Sequence, residues 1–257
     1  MTKDILDVTG KVAFITGASS RGIGSGSAKV LAEHGAKVFL TARREEQLQE
    51  QVAAIEAAGG EAGYAVCDVS VEDEVKAAID ACVAKFGRID IMVLSAGVPG
   101  DFMESVEFEV EDWETVLGVN LNGVYFALMH AWPYLLESGD ACVIPVLSMA
   151  ALKVDGFLPY TASKGALLRM VPWLAKFAGP DGIRVNGIAP GLIDTDMTNP
   201  PGWDTTDMVI NPAKEKAPLR RLATIEDCAN TVLFLSSGAG RAITGQIIAV
   251  DAGEALV

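Results

Sequence analysis

The segment "PYTASKGAL" places Tyr160 and Lys164 at positions i and i+4. On a helix such residues share a face, so a phenol and an ammonium group would stand side by side. Upstream, Ser148 closes an apolar run, and ligands of open α/β sheets sit at the carboxyl ends of strands. Taken singly, these residues also fit plain roles: an amphipathic packing tyrosine and a capping serine. A second motif narrows the choice. Residues 12–24, "VAFITGASSRGIG", run from an apolar strand through glycines and serines into a helical pattern. A glycine loop there aims backbone N–H groups at a dinucleotide pyrophosphate, and glycine lets the phosphates approach without a Cβ. Its bland alternative is a tight strand-to-helix turn with no ligand.

The second strand sharpens the ligand. It ends "FLTARREE", with Ala42 where a ribose-binding carboxylate would stand, followed by Arg43 and Arg44. Arg21 lies within the glycine loop itself. A carboxylate would repel a 2′-phosphate, whereas arginine holds one through two hydrogen bonds. This pattern favours NADP(H) over NAD(H). The competing reading is that Arg43 and Arg44 open a solvated helix containing Glu45 and Glu46.

The elements that must position these residues alternate between strand and helix, which predicts βαβ units and a parallel sheet. Strands are expected at 12–16, 37–41, 64–69, 90–95, a fifth ending at Ser148, 184–188 and 246–250. Helices are expected at 23–34, over "REEQLQEQVAAIEAAGG", after an N-cap at Ser70, at about 112–136, from near Tyr160, and at about 225–235. Residues 192–222 read as a polar, proline-rich, irregular substrate loop.

Composition bounds the possibilities. The chain has 257 residues, half of them hydrophobic, which suits one α/β domain spanning 1–257. A net charge of −14 argues against nucleic acid as a partner. The four cysteines are scattered and only two histidines exist, so no zinc site is expected. They read as buried thiols in a reducing cytoplasm. No apolar run reaches membrane-spanning length, and the N-terminus lacks a signal-peptide pattern.

Together the motifs resemble the short-chain dehydrogenase/reductase family over nearly the whole length. The resemblance rests on "TGASSRGIG", "CDV" at 67–69, "LSAG" at 94–97, "VNLNG" at 119–123, "LSMAA" at 147–151 and "YTASK" at 160–164. It continues through "IRVNGIAPGLIDT" at 183–195 and "TGQIIAVDAG" at 244–253. It implies a doubly wound, Rossmann-like parallel sheet flanked by helices on both faces. By the same resemblance, Tyr160 would exchange a proton with the alcohol or carbonyl oxygen. Lys164 would favour its phenolate and hold the nicotinamide ribose, Ser148 would bind the substrate oxygen, and Asn120 would hold a relay water. Cofactor contacts would come from Gly17, Ser19, Ser20, Arg21, Gly22, Ile23, Gly24, Arg43, Asp68, Val69, Ser95, Ala96 and Gly97. Val185, Pro190, Gly191, Ile193 and Thr195 would line the nicotinamide side. A homotetramer, or else a dimer, is expected from the same resemblance.

The chain also departs from the family. Four residues separate Gly17 from Gly22 where three are usual. That longer segment is expected to carry Ser19, Ser20 and Arg21 to the 2′-phosphate. Ser95 replaces an asparagine, Glu254 replaces a glycine, and Pro145 and Pro172 fall inside an apparent central strand and the Tyr160 helix. The expected substrate is a small molecule. Met149, Leu152, Val154, Phe157, Leu158, Val98, Pro99, Phe102, Met197, Trp203 and Met208 suggest a bulky apolar ketone or secondary alcohol, of hydroxysteroid type. The alternatives are a 3-oxoacyl-carrier-protein reductase or a general carbonyl or polyol reductase. Against the carrier stands "AWPYLLESGD" at 131–140, with two acids and no base. A non-catalytic NADP(H)-binding regulator is a remoter alternative.

Overall fold

The computed structural model describes residues 4–100, 109–153, 157–200, 202 and 205–256. Val154, Phe102 and Trp203 lie outside them. Strands β1 (Val12–Thr16), β2 (Lys37–Ala42), β3 (Glu61–Val66), β4 (Ile91–Leu94), β5 (Cys142–Pro145) and β6 (Arg184–Val185) form one parallel sheet in the order 3-2-1-4-5-6. Strands β7 (Gly187–Pro190) and β8 (Ile247–Val250) form a second parallel pair.

Strand side chains alternate between faces, and the core divides accordingly. Val12 and Phe14 belong to one buried cluster, and Ala13 and Ile15 to the other. The first cluster is roofed by α3 (Glu72–Phe86), α5 (Gly123–Ser138) and α6 (Leu158–Ala178). The second is roofed by α1 (Ile23–Glu33), α2 (Glu45–Ala57) and α8 (Ile225–Ser236). The remaining helices, α4 (Val110–Leu117) and α7 (Asn211–Lys216), are short. This is the doubly wound arrangement, and its switch-point crevice opens between the carboxyl ends of β1 and β4.

Several boundaries differ from expectation. β3 runs Glu61–Val66 rather than 64–69, because its partner β2 ends at Ala42. Glu61 and Gly63 dilute the apolar signal at its start. Ser70 does not cap α3; its hydroxyl donates to Asp68 Oδ1 at 2.6 Å, and Val71 holds the cap position. The helix expected at 112–136 is interrupted by a π-helical turn, Gly118–Asn122. Residues 192–222 are not wholly irregular: they contain a second π turn, Thr206–Ile210, and α7, which starts with Pro212 in its first turn and ends in Lys214 and Lys216. α6 runs through Pro172, which lies on its exposed side well past Lys164.

Pro145 accounts for the division of the sheet. Along this stretch the amide donors alternate sides. Val146 N bonds Leu94 O at 3.0 Å and Leu147 N bonds Ile188 O at 2.8 Å. In phase with Leu147, Pro145 presents its missing donor toward β6 and β7. There the ladder is interrupted after Asn186, whose N–H still bonds Val143 O at 3.0 Å and whose side chain reaches Ile243 O (2.8 Å) and Gln246 N (3.1 Å).

Candidate active site

Ser148 follows β5 and holds an extended conformation that starts a 3-10 turn, Met149–Ala151. Its Oγ accepts a hydrogen bond from Ala150 N at 3.2 Å, so the capping role is present. The same side chain also hydrogen-bonds the Tyr160 phenol. Tyr160 stands in the first turn of α6, and the helical spacing brings Lys164 Nζ to 5.6 Å from the Tyr160 ring centre. Lys164 is buried and donates to Val146 O at 2.8 Å. Burial drives its pKa down to about 8. Burial raises that of Tyr160, and the Ser148 hydrogen bond offsets this in part. Burial thus favours the neutral phenol. The cause is desolvation, which penalises both charged forms.

Asn120 lies within the π turn and is fully buried. Its Oδ1 accepts from Val98 N at 2.8 Å, and its Nδ2 donates to Val98 O at 3.0 Å and to Ser163 Oγ at 3.1 Å. Ser163 Oγ in turn donates to Tyr160 O at 2.7 Å. The side chain therefore knits the β4 loop to α6, and both its amide protons are used. π-helical turns recur at functional sites, and this one carries Asn120 inward. Ser163, inside the Tyr–Lys motif, was missed by the sequence reading.

On the other side of the crevice lies a cleft of about 270 Å³. Gly17, Ser19, Ser20, Asp68, Val69, Ala96 and Gly97 border it, with Ala42, Arg43 and Arg44 at one end. Gly17 has φ +70, and a Cβ there would lie 2.7 Å from Ala96 Cα. At Gly24 a Cβ would lie 2.5 Å from Gly17 O. Gly22 is extended, and a Cβ would meet only Ser20 Oγ, at 3.6 Å. The close approach thus depends on the first and last glycines, and Ile23 opens α1 between them. The first turn of α1 carries no acidic residue, so its positive end is free for phosphate. The cradle, the arginines and the acid-free helix end fit a dinucleotide.

Arg44 Nε donates to Ser19 Oγ at 3.3 Å, and Arg43 Nη1 lies 3.8 Å from Asp68 Oδ2. Burial pushes the Asp68 pKa up, but the Ser70 hydroxyl and amide and Arg43 outweigh it, and the carboxyl titrates below its ordinary value. Ser95 and Ala96 are held through their main-chain N–H groups, both donating to Thr16 Oγ1 at 3.1 Å. Thr16 was not singled out in the sequence.

Arg21 is not beside these arginines. Its Nη1 and Nη2 donate to Asp194 O and Asp194 Oδ1, each at 2.9 Å, so the guanidinium expected at the 2′-phosphate here meets the substrate loop. On the nicotinamide side, Pro190 ends β7, Gly191 N bonds Val250 O at 3.1 Å, and Ile193 and Thr195 are buried. Val185 is fully buried in the core cluster rather than on the cleft. Glu254 reaches this side unannounced: its Oε2 accepts from Leu192 N at 2.9 Å, and its main-chain carbonyl accepts from Lys153 Nζ. The only hint was its substitution for glycine. All four cysteines are free and buried, and among the described residues no group of three or more His, Cys, Asp or Glu could hold a metal ion. No described helix is long and apolar enough to cross a membrane.

A Ser–Tyr pair, a buried lysine and a phosphate cradle on one sheet edge are the parts of an oxidoreductase acting on CH–OH or carbonyl groups. The chain belongs to the short-chain dehydrogenase/reductase family. A family model described as enoyl-(acyl carrier protein) reductase matches residues 17–254. A 3-oxoacyl-[acyl-carrier-protein] reductase of Thermotoga maritima is 34% identical over 245 residues, covering 95% of this chain and 97% of the relative. Gluconate 5-dehydrogenase of Gluconobacter oxydans is 34% identical over 253 residues, covering 97% and 96%. Among solved structures, a gluconate 5-dehydrogenase from Burkholderia cenocepacia in complex with NADP and tartrate superposes with a TM-score of 0.90. It is 30% identical and covers 99% of this chain and 98% of that one.

Proposed function

We propose that the protein is an NADPH-dependent reductase of 3-oxoacyl groups carried as thioesters on an acidic partner. The observation behind this substrate class is a run of cations along the substrate loop. Lys214, Lys216, Arg220 and Arg221 lie exposed on and after α7, in a chain of net charge −14. The acidic stretch 131–140 argued against a carrier, but the basic residues gather elsewhere. Positive charge there would steer an acidic partner toward the crevice. Exposed Leu152, Leu158, Met197 and Met208 offer apolar surface for an acyl chain. The relatives named 3-oxoacyl reductases favour the same reading.

NADPH, when bound, supplies the hydride to the carbonyl carbon. Ala42, Arg43 and Arg44 favour the phosphorylated cofactor, and Ser19 orients Arg44. Ser148 holds the carbonyl oxygen and stabilises its developing charge. Tyr160, kept protonated by burial, delivers a proton to that oxygen, so the ketone becomes an alcohol. The phenol is then reprotonated by way of Lys164 and a relay water held beside Asn120.

A second reading, a hydroxysteroid dehydrogenase, is favoured by the same exposed apolar side chains. The relatives named gluconate 5-dehydrogenase keep a polyol acid in view. Exposed apolar residues also mark the outer helix faces: Tyr125, Met129 and Leu136 on α5, and Trp173 and Phe177 on α6. These faces support a homotetramer or dimer. The deciding experiment follows reduced-nicotinamide absorbance with an acetoacetyl carrier thioester, acetoacetyl-CoA, ketogluconate and a steroid panel. The carrier thioester is expected to give the highest kcat/KM. Turnover of steroids alone would sink the acyl reading.

A further inference from the structure

The residue added to the glycine loop ends in a clasp. Between Gly17 and Gly22 stand Ala18, Ser19, Ser20 and Arg21, one residue more than the family pattern allows. The two ends of this segment cannot spread, because Gly24 rests against the carbonyl of Gly17. The segment keeps Ala18 and Ser19 buried and carries Arg21 to the start of the substrate loop. Arg21 N donates to Asp196 Oδ2 at 3.1 Å, and Asp196 N donates back to Arg21 O at 3.1 Å. The guanidinium meets Asp194 O and Asp194 Oδ1, each at 2.9 Å, and its Nε lies 3.6 Å from Asp196 Oδ1. One main-chain bond and one main-chain-to-carboxylate bond join the two residues, and the forked side chain fixes orientation. Between the two aspartates sits Thr195, with Ile193 just before; both are buried.

We infer that Arg21 is a positioning residue for the substrate loop: by clasping Asp194 and Asp196 it holds the 193–196 turn over the crevice, rather than contacting the cofactor 2′-phosphate. The inference rests on the proposed NADPH-dependent reductase reading. Its mechanism predicts a split that a cofactor contact would not give. Arg21 is half exposed, so the pairs hold the loop through geometry and are weakened by salt. Asp194 titrates below the ordinary carboxylate range, chiefly through its hydrogen bond from Arg21, so the clasp persists at neutral pH.

The test compares wild type with Arg21→Ala, Arg21→Lys and Asp194→Asn. NADPH affinity is measured by nicotinamide fluorescence, kinetics with the best carbonyl substrate, and amide exchange over 193–199. For Arg21→Ala, substrate KM is expected to rise about tenfold and loop exchange to quicken about tenfold, with NADPH Kd changed less than about twofold. Asp194→Asn should move the same quantities in the same direction, and Arg21→Lys should recover only part of the loss. If Arg21→Ala instead weakened NADPH about tenfold and left loop exchange unchanged, Arg21 would be a cofactor contact and the inference overturned. Absence of carbonyl reduction by the wild type would count against the reductase reading alone. Amide exchange, measured with and without NADPH, would still decide the clasp.

Discussion

Two sets of cations serve the same sheet edge under opposite physical conditions. Lys164 is buried, and its pKa falls to about 8. Arg43 and Arg21 keep about half or more of their side-chain surface in water. A lysine can lose its proton when desolvated, and that adjustable charge suits a group beside the reacting oxygen. Arginine stays charged and forks, which suits holding phosphate or pinning a loop. The first set carries a cost in stability that its chemistry requires. The second contributes little to stability and acts mainly on binding and order.

The contrast can be broken most sharply at Tyr160. Replacing it with phenylalanine removes the proton donor, and kcat for carbonyl reduction is expected to fall about 10³-fold with NADPH affinity unchanged. Near-wild-type turnover would remove Tyr160 from the mechanism. Next comes Lys164→Met, expected to cost about 10²-fold in kcat while raising the melting temperature at pH 7. The drop from 10.5 to about 8 corresponds to about 3 kcal/mol of preference for the neutral amine. The folded state therefore binds fewer protons than the unfolded chain between those values. Stability from this group is lowest below pH 8 and rises as pH climbs from about 8 to 10.5. Wild type should show that rise in chemical denaturation, and Lys164→Met should lack it. The smallest effect belongs to the exposed set. Arg43→Ala with Arg44→Ala should weaken NADPH about tenfold, leave NADH nearly unchanged and flatten the salt dependence of NADPH binding. Equal losses for both cofactors would dissolve the distinction.

Much of this was legible in the sequence because it is local. Val75, Ala78, Ile79 and Cys82 repeat at helical spacing, and the structure buries all four. Tyr160 and Lys164 share a face by helix geometry alone, and Ser148 falls at a strand end by apolar patterning. What was not legible depends on partners distant in the chain. The direction of Arg21 is set by Asp194 and Asp196, and only the assembled sheet brings β7 and its loop beside the glycine loop. Arg44 looked equivalent to Arg43 until Ser19 singled it out. β3 was misplaced because an edge strand such as Glu61–Val66 needs little apolar character. α7 was hidden because proline and charged residues dominate its six positions, and its start depends on the π turn before it.

The break after Asn186 also bears on how such a chain can change its specificity. Everything before it builds the six-stranded sheet, the glycine loop, Arg43, Arg44 and the Ser–Tyr–Lys cluster. Everything after it brings the 192–222 segment, α8 and Glu254. Pro145 removes one rung at this seam, between the Asn186–Val143 and Leu147–Ile188 bonds, and so marks a crossover point for recombination. A relative's C-terminal cassette grafted after Asn186 would exchange the substrate loop together with the nicotinamide-side residues Pro190, Gly191, Ile193 and Thr195, and keep the glycine loop and the Ser–Tyr–Lys cluster.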